Sequence, residues 1–319
     1  MTASKFGRTV PAGVYAPLYT FFHADESLDL EAYRRHVLTV ASAGVGIVTL
    51  GSSGEAVHLT RDERNQIIDA TREVLDSDPS LAQIPLIVGA SASSTKETIQ
   101  FTKDAAERGA DFVMTITPGY FAGALDKAAI KQYFIDVAAE SPLPVLVYNY
   151  PGAASSIDIN SDLMSEIVAA SPNVVGTKLT CGAVGKLSRI ATLRENFAVF
   201  GGFVDFLAPS LLVKSSGCIT SLANIAPKTC LKLYKDTQAA LSSDSISRST
   251  LSAIQDLQLV ASRADWVIIK GGINGPKHVL DKLNGYGGKP RRPLLPIKPE
   301  DGDKMVKELE EILAIERTL

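Results

Sequence analysis

Lys178 stands in Val174-Val175-Gly176-Thr177-Lys178-Leu179, an otherwise apolar run in which a solvated ammonium has no evident reason to be. A lysine desolvated there has its pKa lowered and becomes a neutral amine able to attack a ketone. The plainer reading is a lysine paired with a carboxylate or lying on an exposed edge, because structural ion pairs host such residues too. Tyr148 closes the preceding apolar run in Tyr148-Asn149-Tyr150-Pro151. A phenol beside an amine can pass protons into and out of carbinolamine and enamine intermediates. A packed aromatic whose hydroxyl bonds to backbone is the competing account. Gly51-Ser52-Ser53-Gly54-Glu55 sets glycines and hydroxyls just ahead of a helical stretch, which suits backbone amides and the Ser52 and Ser53 hydroxyls receiving a carboxylate or phosphate. A tight turn would use the same glycines. The loop is not a Walker A loop, and Gly44-Val45-Gly46 lacks the third glycine of a dinucleotide fingerprint.

What positions these groups is a recurrence of short β-branched runs, each followed by an amphipathic segment of helical length. The runs fall at 13–20, 46–50, 85–90, 111–117, 144–150, 174–179, 197–202 and 217–220, and the helices between them at 30–43, 60–76, 94–108, 127–140, 161–170, 183–193, 203–214 and 227–234. Thr60 ahead of Arg61-Asp62-Glu63, and Ser94-Thr95-Lys96-Glu97, are helix starts, while Ala43-Gly44 and Arg108-Gly109 are stops. Consecutive apolar residues such as Leu86-Ile87-Val88 and Val145-Leu146-Val147 suit strands of a parallel sheet covered on both faces. Eight βα units favour a closed (β/α)8 barrel over an open doubly wound sheet, which would leave edges to protect. Beyond Tyr234 the alternation stops, and helices at 248–264, 274–283 and 300–315 follow, the last two separated by Gly285-Tyr286-Gly287-Gly288-Lys289-Pro290 and the stretch 293–299. The expected organisation is a barrel over 1–236 with a helical extension over 237–319 packed on it. In such a barrel, chemistry gathers where strands end, which selects the loop at 51–55, Thr117-Pro118-Gly119-Tyr120, Tyr148 and Lys178.

Composition narrows the function classes. A hydrophobic share of 45% and a charged share of 21% are those of a chain with a packed core. A net charge of −3 leaves no electrostatic footprint for nucleic acid or an anionic membrane. Cys181, Cys218 and Cys230 form no CxxC pair, and His23, His36, His58 and His278 have no metal-ligand spacing. Neither a metal nor a cofactor is expected, and each histidine reads as a surface or locally hydrogen-bonded residue. The polar start over 1–10 is no secretory signal and no stretch has the length of a membrane span. The chain reads as cytoplasmic, with Lys5 and Arg8 giving slight support for organelle import.

Taken together, the loop at 51–55, the Tyr148 motif and Gly176-Thr177-Lys178 resemble the dihydrodipicolinate synthase and N-acetylneuraminate lyase superfamily of class I pyruvate-type aldolases, in order, spacing and strand placement. The resemblance runs from about Gly13 through 285–296, nearly the whole chain. It implies that Lys178 forms the imine and Tyr148 shuttles protons. Ser52 and Ser53 would bind the keto-acid carboxylate within the Gly51 loop, with Ser52 in the proton relay. Tyr120 matches the family tyrosine that crosses a dimer interface to complete a neighbour's relay, implying a homodimer or a homotetramer. Gly201 and Ile219 fall where the family lines the pocket with backbone groups. One departure matters: dihydrodipicolinate synthases carry an arginine two residues past the proline of the tyrosine motif, and here that position is Ala153. Without the guanidinium, a bidentate carboxylate clamp is missing. The similarity is therefore nearer to 4-hydroxy-2-oxoglutarate and 2-keto-3-deoxy sugar-acid aldolases, and the Gly285-Tyr286-Gly287-Gly288 and Pro293-Leu294 tail also resembles the hydroxyoxoglutarate branch.

The expected partners are small molecules, a 2-keto acid and an aldehyde. The expected reaction is reversible cleavage of a 4-hydroxy-2-keto acid to pyruvate and that aldehyde. Condensation of pyruvate with aspartate semialdehyde is one alternative. A catalytically silent barrel that binds a keto acid for regulation is another.

Overall fold

A computed structural model of the chain describes residues 5–319, so the first four residues of the polar start lie outside it. Each β-branched run is a strand within its expected range: β1 (Gly13–Pro17), β2 (Gly46–Thr49), β3 (Leu86–Gly89), β4 (Phe112–Ile116), β5 (Val145–Asn149), β6 (Val174–Leu179), β7 (Ala198–Gly201) and β8 (Gly217–Ile219). They pair in sequence order and the sheet closes, so the architecture is a (β/α)8 barrel and not the open sheet. The registers of β1 on β2 and of β3 through β8 are parallel. Almost every strand residue is buried, the pattern that consecutive apolar positions require of strands covered on both faces.

Helices α1 (Leu30–Ser42), α2 (Arg61–Asp76), α3 (Thr95–Glu107), α4 (Lys127–Glu140), α5 (Ser161–Ala170), α6 (Val184–Ile190), α7 (Leu207–Leu212) and α8 (Pro227–Leu241) follow successive strands. Thr60 and Glu63 form a reciprocal capping box at the start of α2, and Ser94 accepts the Glu97 amide ahead of α3. Three expectations were too long or too short, the first being α6, which stops at Ile190 and not at 193. α7 starts at Leu207 and not at 203, because the amides of Val204 and Asp205 are taken up by the Asp265 carboxylate. α8 runs on to Leu241, keeping Thr237 and Ala240 buried.

Four C-terminal helices complete the fold: α9 (Arg248–Gly271), α10 (Asn274–Asn284), α11 (Pro299–Glu308) and α12 (Glu310–Thr318). α9 outruns its expected end at 264, since Val267 and Ile268 extend the buried face as far as Gly272, whose φ of 61° ends the helix. The single helix expected over 300–315 is broken at Leu309, a buried residue that caps α11 and opens α12.

The chain divides into two compact units. One is built on Pro85–Gly202 and Pro209–Cys218 around the fully buried Phe112, Phe134 and Phe200. The other comprises Gly13–Ile84, Phe203–Ala208 and Ile219–Leu319 and is centred on Tyr15, Tyr33, Phe21, Ile47 and Ile67. In this second unit α9 contacts α8, α10, α11 and α12. His36 departs from the sequence reading, being neither at the surface nor locally bonded. It is fully buried and hydrogen-bonded to Asn224 and Tyr286, and burial brings its pKa down to about 4. No described helix is long and apolar enough to cross a membrane.

Candidate active site

The geometry at Lys178 begins with strand register. β5 and β6 are parallel neighbours in which Tyr148 is the pairing partner of Lys178, so both side chains issue from the same face near the strands' C-terminal ends. The Lys178 side chain is almost wholly buried, and its Nζ donates to the Tyr148 Oη at 3.4 Å. The same nitrogen stands 4.5 Å from the centre of the Tyr148 ring. Among the described residues, no carboxylate forms an ion pair with it, so the plainer reading of a structural ion pair does not apply. Burial lowers the Lys178 pKa to about 7, against a weak opposing pull from Cys218. The Tyr148 ring stacks on Tyr150 at 5.8 Å, which fixes the phenol, and burial beside Tyr148 pushes the Tyr150 hydroxyl up.

A buried amine with this pKa is substantially neutral at pH 7 and carries the lone pair that attack on a ketone needs. Its neutral fraction falls about tenfold for each pH unit below the pKa. The rate at which pyruvate is captured at Lys178 should therefore climb about tenfold per unit between pH 5 and 6 and level off above about 7. A stopped-flow series over pH measures this. A midpoint near the ordinary lysine value would contradict the desolvated amine.

Gly201 ends β7 opposite Leu179, the residue after Lys178, so its peptide lies beside the site. Ala153 is exposed and ends a single 3-10 turn that opens at Pro151, two residues before it. Tyr120 follows β4, 83% exposed with its ring edge-on to Phe121, which is itself 68% exposed.

The serine loop belongs to the second unit. It runs between two residues in left-handed conformation, Leu50 at φ 57° and Glu55 at φ 52°. Thr20 Oγ1 donates to the Gly54 carbonyl at 2.7 Å, and a Cβ at Gly54 would stand 3.0 Å from the Leu18 carbonyl, a tight contact that a larger residue would have to push back. A Cβ at Gly51 would meet nothing within 4 Å. Ser53 Oγ lies 3.1 Å from Ser221 Oγ, just beyond β8, and Ile219 ends that strand fully buried. Tyr19 is buried against Ser221 with its pKa pushed up by desolvation. Ser221 and Tyr19 were not singled out from the sequence, although Ser221 closely follows the last strand, where function collects.

Glu55 was quoted only as the end of the loop motif, yet it is buried and paired through Oε1 to Lys277 Nζ of α10 at 2.9 Å. Its other oxygen accepts the Arg291 amide at 2.8 Å and lies 3.2 Å from His58 Nδ1. No spacing signal links residues so far apart in sequence. Among the described residues, no cluster of His, Cys, Asp or Glu could hold a metal ion.

Comparison with known proteins agrees with the geometry. A model of the dihydrodipicolinate synthetase family matches residues 10–312. A protein of Emericella nidulans named "Probable 4-hydroxy-2-oxoglutarate aldolase, mitochondrial" is 41% identical over 98% of this chain and 98% of its own length. The L-threo-3-deoxy-hexylosonate aldolase of Hypocrea jecorina is 39% identical over 98% of this chain and 99% of its own. Among solved structures, a dihydrodipicolinate synthase family protein from Coccidioides immitis superposes with a TM-score of 0.85 at 34% identity, covering 98% of this chain and 99% of that one.

Proposed function

The chain belongs to the dihydrodipicolinate synthetase family, and from that premise we propose that it is a class I aldolase cleaving a 4-hydroxy-2-keto acid to pyruvate and an aldehyde. The observation that carries this reading is the buried Lys178 amine, with a pKa of about 7, at 3.4 Å from the Tyr148 hydroxyl. Lys178 attacks the C2 carbonyl, Tyr148 gives its phenolic proton to the departing hydroxyl, and loss of water leaves a protonated imine beside the Tyr148 phenolate. With the C4 hydroxyl proton removed to Tyr148, the C3–C4 bond breaks and its electron pair flows into the iminium. The aldehyde departs, the resulting enamine takes a proton at C3, and water releases pyruvate and the free amine.

The family resemblance gives Ser52 and Ser53 the keto-acid carboxylate, Ser52 a place in the relay, and Gly51, Gly201 and Ile219 backbone parts of the pocket. Tyr120 would complete the relay of a neighbouring subunit in a dimer or tetramer, a reading supported by its large exposure beside Phe121. Ala153, in place of an arginine, disfavours condensation with aspartate semialdehyde. A silent keto-acid-binding barrel would have no need of a lowered lysine pKa beside a phenol. The cytoplasmic reading competes with a mitochondrial one, since the Emericella relative is named as a mitochondrial protein.

The test is a cleavage screen of 4-hydroxy-2-oxoglutarate and 2-keto-3-deoxy sugar acids with pyruvate release as the readout. Turnover of at least one is expected. Turnover of aspartate semialdehyde with pyruvate, and of none of these acids, would overturn the substrate class.

A further inference from the structure

We propose that Glu55 is a positioning residue for the keto-acid carboxylate: the buried clamp of Lys277 and Arg291 on its side chain holds the Ser52-Ser53 loop in its binding shape. This rests on the aldolase reading above. Leu50 and Glu55 bracket the loop, and both hold a left-handed backbone that side-chain-bearing residues rarely adopt. Such a conformation persists where the surroundings over-determine it, and at Glu55 the surroundings are polar and fully engaged. Lys277 Nζ donates to Oε1 at 2.9 Å with neither side chain exposed to solvent. The Arg291 amide donates to Oε2 at 2.8 Å.

The clamp is fastened in turn to the flanks of the loop. The Arg291 guanidinium donates to the His58 carbonyl at 2.8 Å and to both Glu63 oxygens, at 2.6 and 2.8 Å. It also donates to the Glu26 carbonyl, and it lies 4.4 Å over the Phe22 ring. Lys277 Nζ lies 4.6 Å from the centre of the same ring. The tail that brings Arg291 here is laid tightly on α10. A Cβ at Gly287, whose φ is 154°, would stand 2.2 Å from the Lys277 carbonyl. The loop's own hydrogen bonds complete the arrangement: the Glu55 amide donates to the Ser52 carbonyl at 3.1 Å, so any swing of Glu55 is passed directly to Ser52.

A buried ion pair is weak evidence for stability, since apolar replacements are often as stable, and fixing one geometry is a better-supported use for it. The clamp is therefore assigned to loop shape and not to fold stability. Removing it leaves the Lys178 amine and the Tyr148 phenol in place and loosens the Ser52 and Ser53 hydroxyls, so the main loss is in the grip on the carboxylate, and the Ser52 share of the relay accounts for the small change expected in the saturated rate.

The experiment compares wild type with the double variant Glu55→Gln/Lys277→Met, which leaves no unpaired buried charge, and with Arg291→Ala. Each is titrated with pyruvate, trapped with borohydride, and scored by label on the Lys178 peptide. For the double variant, the half-saturating pyruvate concentration should rise about tenfold or more while the saturated labelling rate stays within about threefold. Arg291→Ala should shift the same concentration in the same direction by about threefold, and it serves on its own if the double variant does not fold. Unchanged half-saturation in the folded variants, with wild type labelling normally, overturns the clamp alone. A wild type that takes no label at Lys178 overturns the aldolase reading, and the clamp's role falls with it.

Discussion

Replacing Lys178 with methionine is expected to abolish cleavage, lowering kcat/KM by about 10⁴-fold or more, because the covalent electron sink that makes the C3–C4 bond breakable is then gone. No other described side chain is placed to substitute: the amine's closest polar companion is a phenol, which forms no imine. Lys178→Arg should be equally inactive, since a guanidinium stays protonated and is not a nucleophile at any working pH. The loss should not be a folding defect. Lys178 is desolvated enough for its pKa to fall to about 7, so an apolar side chain of similar length removes a buried polar group at the cost of one long hydrogen bond to Tyr148. Thermal melts of Lys178→Met should match or exceed wild type. Residual turnover above about one per cent of wild type, in a folded Lys178→Met protein, would contradict covalent catalysis at this residue.

The second large effect is at Tyr148. Tyr148→Phe keeps the ring stacked on Tyr150 and removes only the hydroxyl that stands 3.4 Å from the lysine nitrogen. Positioned acid–base groups contribute about 10²–10⁴-fold, so kcat should fall within that range. KM should change little, because the Ser52 and Ser53 hydroxyls proposed to receive the carboxylate are untouched. Pyruvate should still be trapped on Lys178, more slowly, since attack by the amine survives while dehydration of the carbinolamine loses its proton carrier. Steady-state kinetics and trapping rates of one protein preparation separate the two effects. A kcat within threefold of wild type would reduce Tyr148 to a packing residue.

The sequence carried the parts of this site that depend on local pattern. Apolar runs of β-branched residues, each followed by a helix-length segment, reveal eight βα units, and β6 spans the expected 174–179 without adjustment. Consecutive units of a parallel barrel put Tyr148 and Lys178 on adjacent strands, and pairing in register then brings them into contact. Helix ends were legible where capping chemistry is local, as at Thr60 with Glu63 and at Gly44 and Gly109, both at positive φ.

What was not legible depends on contacts between distant segments. Glu55 reads as the polar end of a turn until α10 and the tail deliver Lys277 and Arg291 to it. His36 reads as a surface or locally hydrogen-bonded histidine until Asn224 and Tyr286 enclose it. The late start of α7 is set by Asp265 on α9, and the break between α11 and α12 by a buried Leu309, neither of which a local pattern announces. Periodicity reports burial of a face, but it does not name the partner that buries it.

The most direct test of the central claim is borohydride reduction of the wild-type protein in pyruvate, followed by peptide mass mapping. The account predicts one stable adduct, on the peptide that carries Lys178, forming in the absence of any added metal and faster at pH 8 than at pH 6. An adduct on a different lysine, or an unmodified Lys178 peptide after saturating pyruvate and reductant, would contradict it.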